Sequence, residues 1–184
     1  MPRVSEAEKR KSHNKILDAA ASLFMENGIE TTSVAEVMSK AGMTHGGFYR
    51  HFSGKDELVA QAFRRAVDNA VSAMDRAETP QQKATARKDY VEVYLSFDHV
   101  MDKRNGCPIA ALGSEVGRAQ GSTSDEVSDA LSRVASLLSD GEDQTNGYAR
   151  LALLVGAVTL ARLSADSETA KSVIERAHAA YGRV

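Results

Sequence analysis

Residues 31–55 read TTSVAEVMSKAGMTHGGFYRHFSGK, and this stretch decides the fold. Ser33 and Glu36 stand three apart, the spacing at which a hydroxyl and a carboxylate cap each other's backbone N–H at a helix start. Val34, Val37, Met38 and Ala41 follow at three- and four-residue spacing, which predicts a short helix with one apolar face ending at Gly42. Thr44 is placed to cap a third short helix running to about Phe52. Ser53 and Asp56 read as another capping pair. The long helix behind them carries Leu58, Val59, Ala62, Phe63, Ala66, Val67, Ala70, Val71 and Met74 inside and fades before Pro80. Upstream, Ile16, Leu17, Ala20, Leu23 and Phe24 define a helix over roughly Lys9 to Glu26, stopped at Asn27-Gly28. A longer helix and two short ones joined at Ala41-Gly42-Met43-Thr44 have the proportions of a helix-turn-helix unit.

In that unit the second short helix lies in the major groove, and its first residues meet base edges. Those residues are Thr44, His45, Gly46 and Gly47, followed by Tyr49, Arg50 and His51. Two adjacent glycines inside a helix cost about 1 kcal/mol each against alanine. Close approach of the backbone to another surface explains them better than stability does. His45, Tyr49 and Arg50 offer donors to bases or phosphates. The N-terminus of the helix after Ser53 favours a phosphate, with Lys55 beside it.

The stretch Lys15 to Val59 resembles the DNA-binding domain of the TetR family of transcriptional regulators. The resemblance is carried by Ile16, Ala19, Ala20, Leu23, Phe24, Gly28, Thr31, Thr32, Val34, Ala35, Ala41, Gly42, Gly47, Phe48, Tyr49, His51, Phe52, Lys55 and Leu58. It implies an all-α protein: an N-terminal three-helix helix-turn-helix domain over residues 1–54, then a helical effector-binding and dimerisation domain over 55–184. It further implies that Thr44, Tyr49, His51 and Lys55 contact phosphates or position the helix, and that His45 and Gly46 face bases. Gly46 is not fixed in the family, so the operator sequence stays open. The partners so implied are double-stranded operator DNA, a second copy in a homodimer, and an unidentified small-molecule or electrophile effector. The implied function is that of a repressor released from a palindromic operator.

Charge agrees with a head and a body of different character. Residues 1–55 hold eight Lys/Arg against six Asp/Glu, and the remaining residues fifteen against nineteen. Arg3, Lys9, Arg10, Lys11 and Lys15 crowd the first fifteen positions against Glu6 and Glu8 alone. This basic head suits an anionic partner, or reads as a solvated end. A helical ligand-binding protein whose basic head docks another protein is the competing reading.

Beyond Pro80 a helix of about twenty residues is expected, with Tyr90, Val91, Tyr94, Leu95 and Phe97 on it, broken at Asp102 to Gly106. A compact helix from Cys107 to about Ala119 follows, then a 121–124 loop. Further helices are expected from a Thr123/Glu126 cap to about Ser139, from Tyr148 to Leu163 and from Glu168 to Tyr181. Tyr94, Phe97 and Met101, with Tyr90, Met74 and Phe63, line an apolar ligand pocket or form plain core. Gly113 and Gly117 signal close helix packing. The Tyr148–Leu163 helix is apolar on too many sides for a surface helix, so with the last helix it suits a dimer interface.

The Gly106-Cys107-Pro108 segment, with Ala110, Ala111, Leu112 and Glu115, looks like one branch of the family, some of whose cysteine-bearing members respond to electrophiles or oxidants. Pro108 suits the first helical position and puts Cys107 at the N-cap. There the helix dipole, Lys103 and Arg104 would favour a thiolate. Cys107 is thus a sensor or a small packed residue.

One cysteine excludes a disulfide framework and a cysteine-based zinc site. His45 and His51 are about 240° apart on a helix and cannot share a metal from one face. No nucleophile elbow or glycine-rich loop after a strand is present, so neither an enzyme, a cofactor nor a metal is expected. The uncharged run Leu151 to Ala161 is too short to cross a bilayer, and no signal peptide is read. A cytoplasmic protein without a membrane partner is expected.

Overall fold

The computed structural model describes residues 5–102, 104–118, 123–140 and 144–184, with the backbone alone at 123, 124, 144 and 145. Arg3, Lys103, Gly141, the start of the 121–124 loop and the side chain of the expected Thr123 cap lie outside the described residues. The described chain is all helical: α1 (Glu6–Asn27), α2 (Val34–Lys40), a 3-10 helix (His45–Arg50), α3 (Lys55–Asp75), α4 (Pro80–Tyr94), α5 (Phe97–Met101), α6 (Pro108–Val116), α7 (Thr123–Leu138), α8 (Gln144–Leu163) and α9 (Ser167–Tyr181). Helix α3 packs on α1 at the head and on α4, α6 and α7 in the body, while α8 lies between α7 and α9.

The start of α2 follows the sequence, whereas α1, expected from about Lys9, begins earlier at Glu6. Ser33 and Glu36 form the reciprocal cap of α2, and α1 is capped likewise by Ser5 and Glu8. Gly42, with φ +74°, reverses the chain after α2, a backbone that side chains with a Cβ rarely adopt.

Four expectations are corrected. Thr44 sits at the N-cap of the 3-10 helix, but its side chain makes no capping hydrogen bond. The segment after it is a tight 3-10 helix rather than an α-helix to Phe52, because Gly46 and Gly47 lack the propensity to hold α geometry. Ser53 pairs with Glu57 rather than Asp56: the Glu57 carboxylate accepts from the Ser53 N–H and hydroxyl, each at 2.7 Å. The helix starts one residue late because extended Gly54 is its N-cap. The expected twenty-residue helix ends at Tyr94 and restarts at Phe97. Ser96 caps the new start by accepting from His99 N–H at 3.2 Å, and His99 Nδ1 lies 2.7 Å from the Tyr94 carbonyl. Phe97 is therefore on a different helix from Tyr94.

The body is tied by charged side chains as well as by its core. Arg133 of α7 reaches Asp68 and Asp75 of α3 at 2.6 Å each. Asp140 receives both Arg87, at 2.9 Å, and Arg150. Arg150 also donates to the Leu138 carbonyl at 2.8 Å, which fastens α8 to the end of α7. Near the start of α8 a Cβ on Gly147 would stand 1.9 Å from the Ala135 carbonyl oxygen. Only a glycine allows that approach. Gly147→Ala, which favours an isolated helix by about 1 kcal/mol, is expected instead to destabilise this protein by about 2 kcal/mol through overpacking. Urea denaturation checks the sign.

Candidate nucleic-acid interface

The 3-10 helix is anchored by Phe48, which is 1% exposed and stacks on Phe52 with ring centroids 5.5 Å apart. Around that anchor Thr44, His45, Gly46, Tyr49 and Arg50 all face solvent. Tyr49 is 71% exposed, an unusual setting for an aromatic ring, and meets Phe48 edge-on at 5.2 Å. A Cβ on Gly46 would meet nothing within 4 Å, so no contact inside the chain requires this glycine. These five expected residues thus share one exposed surface.

Lys55 and His51 are set deeper. Lys55 opens α3 and donates Nζ to the Thr32 carbonyl at 2.7 Å, tying the start of α3 to the turn before α2. Thr32 is 2% exposed and donates its hydroxyl to the Gly28 carbonyl at 2.8 Å, closing the same turn from inside. His51 is half-buried beside His13 of α1, with ring centroids 5.8 Å apart. With Lys9, Arg10 and Arg50 these two rings line a cleft of about 310 Å³. His13 was not singled out from the sequence; its partners are Gln61 on α3 and His51 and Phe52 just after the 3-10 helix, and no local spacing marks it.

A second unforeseen feature joins head to body. Glu115 on α6 accepts the backbone N–H of Ile29 at 2.9 Å and of Glu30 at 3.2 Å. Arg104 adds an exposed ion pair to Glu26 at 2.6 Å, a contact of small energetic weight. Between these ties a cleft of about 520 Å³ opens toward Met25, Lys40, Ala66 and Asn105.

The expected sensor and ligand residues do not gather around one cavity. Cys107 is the N-cap of α6, and its sulfur accepts from Ala110 N–H at 3.4 Å. The thiol is 4% exposed. Burial pushes it up, against smaller opposing effects from the Tyr94 hydroxyl, the Ala110 and Ile109 N–H groups and Arg162. The expectation of a thiolate held by Arg104 is corrected, because Arg104 turns outward to Glu26 and desolvation dominates. Tyr94 is 4% exposed, and its hydroxyl is buried without a hydrogen-bond partner; burial, then the neighbouring Cys107, raises it well above its ordinary value. Phe97 lies under Lys171 of α9, 5.0 Å from ammonium to ring centroid, and Met101 is 61% exposed. Phe63 and Met74 are core. Among the described residues no cluster of His, Cys, Asp and Glu is suited to a metal ion, and no helix is long and apolar enough to cross a membrane.

A long helix, two short elements around a glycine turn and an exposed second element define a helix-turn-helix protein. Comparison with known proteins agrees. Residues 16–62 match the family model for bacterial regulatory proteins of the tetR family. The chain is 33% identical over 69 residues to the transcriptional regulator AcrR of Shigella flexneri, covering 38% of this chain and 32% of that one. It is 26% identical over 91 residues to the regulator YfiR of Bacillus subtilis, covering 50% and 44%. In both alignments the chain spans less than half the relative's length. An uncharacterized regulator of Mycobacterium tuberculosis is 28% identical over 170 residues, covering 83% of this chain and 84% of the relative. Among solved structures, reduced Escherichia coli NemR superposes with a TM-score of 0.71 at 16% identity, covering 95% and 96%. A TetR-family regulator of Agrobacterium tumefaciens gives 0.65 at 19%, covering 95% and 98%. Residues 16–62 therefore match the DNA-binding segment of the tetR family, and the relatives that the chain resembles there are transcriptional regulators.

Glu115→Ala removes the acceptor of two backbone donors, one of them on buried Ile29. A loss of about 1–3 kcal/mol is expected, read by urea denaturation, with the largest rise in hydrogen-exchange rate at the Ile29 and Glu30 amides.

Proposed function

We propose that the chain is a homodimeric transcriptional repressor, released from a palindromic operator when a small-molecule or thiol-reactive signal reaches its body. The observation that carries the reading is the exposed face of Thr44, His45, Gly46, Tyr49 and Arg50, set on a buried Phe48 anchor. An exposed tyrosine and a glycine that nothing inside the chain needs are costly to keep for the fold alone. His45 and Gly46 face base edges; Thr44, Tyr49, Arg50, His51 and Lys55 take phosphates or hold the element in place. Residues 1–54 form the DNA-binding unit and residues 55–184 the effector and dimer unit.

Dimerisation is supported by α8. Leu151, Leu154 and Val158 are buried against its own chain, while Leu160 is 60% and Leu163 76% exposed. A second copy related by a two-fold axis would cover that face and set two 3-10 helices one turn of DNA apart. A signal in the body would tilt α3, which runs from the head into the body, and change that separation. Cys107, Tyr94, Phe97 and Met101 remain the proposed signal-receiving residues, Cys107 as a member of the Gly-Cys-Pro branch. The buried thiol beside the unpartnered Tyr94 hydroxyl is the better-supported place; the other two stand apart from it.

Fluorescence anisotropy with duplex DNA from upstream of the chain's own coding region tests this. Tyr49→Ala is expected to weaken binding about tenfold or more, the loss of one good contact, without loss of stability. Wild-type failure to bind any such duplex argues for the protein-docking alternative. Leu160→Glu with Leu163→Glu is expected to give a folded monomer in sedimentation, with DNA binding lost. A thiol reagent that releases wild type but not Cys107→Ser marks the cysteine as the switch; equal release sinks that role.

A further inference from the structure

A cleft of about 480 Å³ opens between α4 and α9, with Asp140 and Arg150 of α8 in its wall. Cys107, Tyr94, Phe97 and Met101 do not line it, so it is separate from the signal-receiving residues proposed above. Two arginines share one carboxylate there. Arg87 reaches one oxygen of Asp140 at 2.9 Å, and Arg150 reaches the other. Glu92 of α4 is engaged by His178 of α9 at 3.2 Å, and Lys88 completes the charged lining. Three cations, Arg87, Lys88 and Arg150, thus stand against two carboxylates that are already engaged, which leaves one positive charge in excess. Two donors in this wall are idle. Arg150 is 7% exposed, and its Nε is buried without a hydrogen-bond partner. The Tyr181 hydroxyl, at the end of α9, is buried and unpartnered as well, and its ring centroid lies 5.2 Å from the Arg150 guanidinium. Burial pushes that hydroxyl above its ordinary range, so at neutral pH it keeps its proton and lacks only an acceptor. A buried donor without an acceptor is costly to keep. Ala84 and Val91, seven apart on one face of α4, add an apolar strip to the lining.

We propose that this cleft binds a small organic monocarboxylate, its head on Arg150 Nε and the Tyr181 hydroxyl and its tail along Ala84 and Val91. The single excess positive charge suits a single negative one, whereas a dianion would be repelled by Asp140 and Glu92 without full compensation. A planar carboxylate has two oxygens to offer, one for the guanidinium edge and one for the hydroxyl. The Tyr181 ring is half-buried, and a shift of that side chain brings its hydroxyl to the entering oxygen. Lys88, which is exposed, draws the anion in. The volume lies within the range of small-molecule sites, about 300–1,000 Å³. Leu163 lies about 20 Å further along α8 than Arg150, so the Leu160–Leu163 face proposed for a second copy does not overlap the cleft. Binding here does not require the chain to hold DNA, so this site and the repressor reading stand or fall separately.

Hexanoate is the probe, read on the full chain by calorimetry and by the side-chain Nε–H resonance of Arg150. A Kd of about 1 mM or tighter is expected, with that resonance displaced at saturation. Hexan-1-ol, of the same length and uncharged, is expected to bind at least about tenfold more weakly. Tyr181→Phe removes an unpartnered hydroxyl. It is expected to leave the unliganded protein as stable as wild type while weakening hexanoate about fivefold or more. Lys88→Ala, at an exposed position, is expected to weaken hexanoate about twofold and to lower the salt dependence of its binding. An Arg150 resonance unmoved by hexanoate, or an affinity unchanged in both folded variants, overturns the site. Hexan-1-ol binding as tightly as hexanoate overturns the carboxylate and leaves an apolar groove. Inorganic phosphate that displaces the same resonance at lower concentration than hexanoate overturns the organic monocarboxylate as the ligand class.

Discussion

Everything in this chain hangs on the burial of α3. Its twenty-one residues extend for about 30 Å, and buried side chains recur along it from Leu58 to Met74. The same helix closes the core of the head, through α1, and that of the body, through α4, α6 and α7. Head and body therefore share a wall, and the hydrophobic cluster runs unbroken from Ile16 to Ile174. Burial of one apolar side chain is worth about 1.5–3 kcal/mol, so neither end of α3 can move far without disturbing a well-packed neighbour. Motion of the head relative to the body is more easily a tilt of α3 than a hinge within it.

Two smaller links constrain that tilt. The ion pair of Arg65 with Asp18 and the His13–Gln61 hydrogen bond fix α3 to α1 along the head. Glu115 fixes α6 to the turn between α1 and α2. Because α6 is capped by Cys107 and ends one residue past Glu115, its first turn sits in the aromatic core of the body and its last turn touches the head.

What the sequence disclosed was local. The Ser33–Glu36 cap, the Gly42 reversal and the Cys107 N-cap ahead of Pro108 are set by residues within a few positions of one another, so spacing suffices to read them. The exposed face was legible because its oddities, the paired glycines and Tyr49, break the rules of a stable helix. Local reading also misled where two patterns competed. The apolar spacing of Tyr90, Tyr94 and Phe97 continues through a break that Ser96 imposes, and an extended Gly54 shifts the start of α3 past the Ser53–Asp56 spacing. Long-range matters were out of reach: Glu115 lies 86 residues from Ile29, and the burial of Cys107 depends on aromatic side chains of another helix.

That burial has a kinetic meaning. A reagent cannot meet the Cys107 sulfur in the packed molecule, so modification waits on a transient opening of the first turn of α6. The reaction rate is then the product of an opening equilibrium and an intrinsic thiol reactivity. A fully exposed cysteine answers to the chemistry of the solution alone. Cys107 answers also to the breathing of the core around it, so anything that loosens that core makes the same dose of reagent act faster.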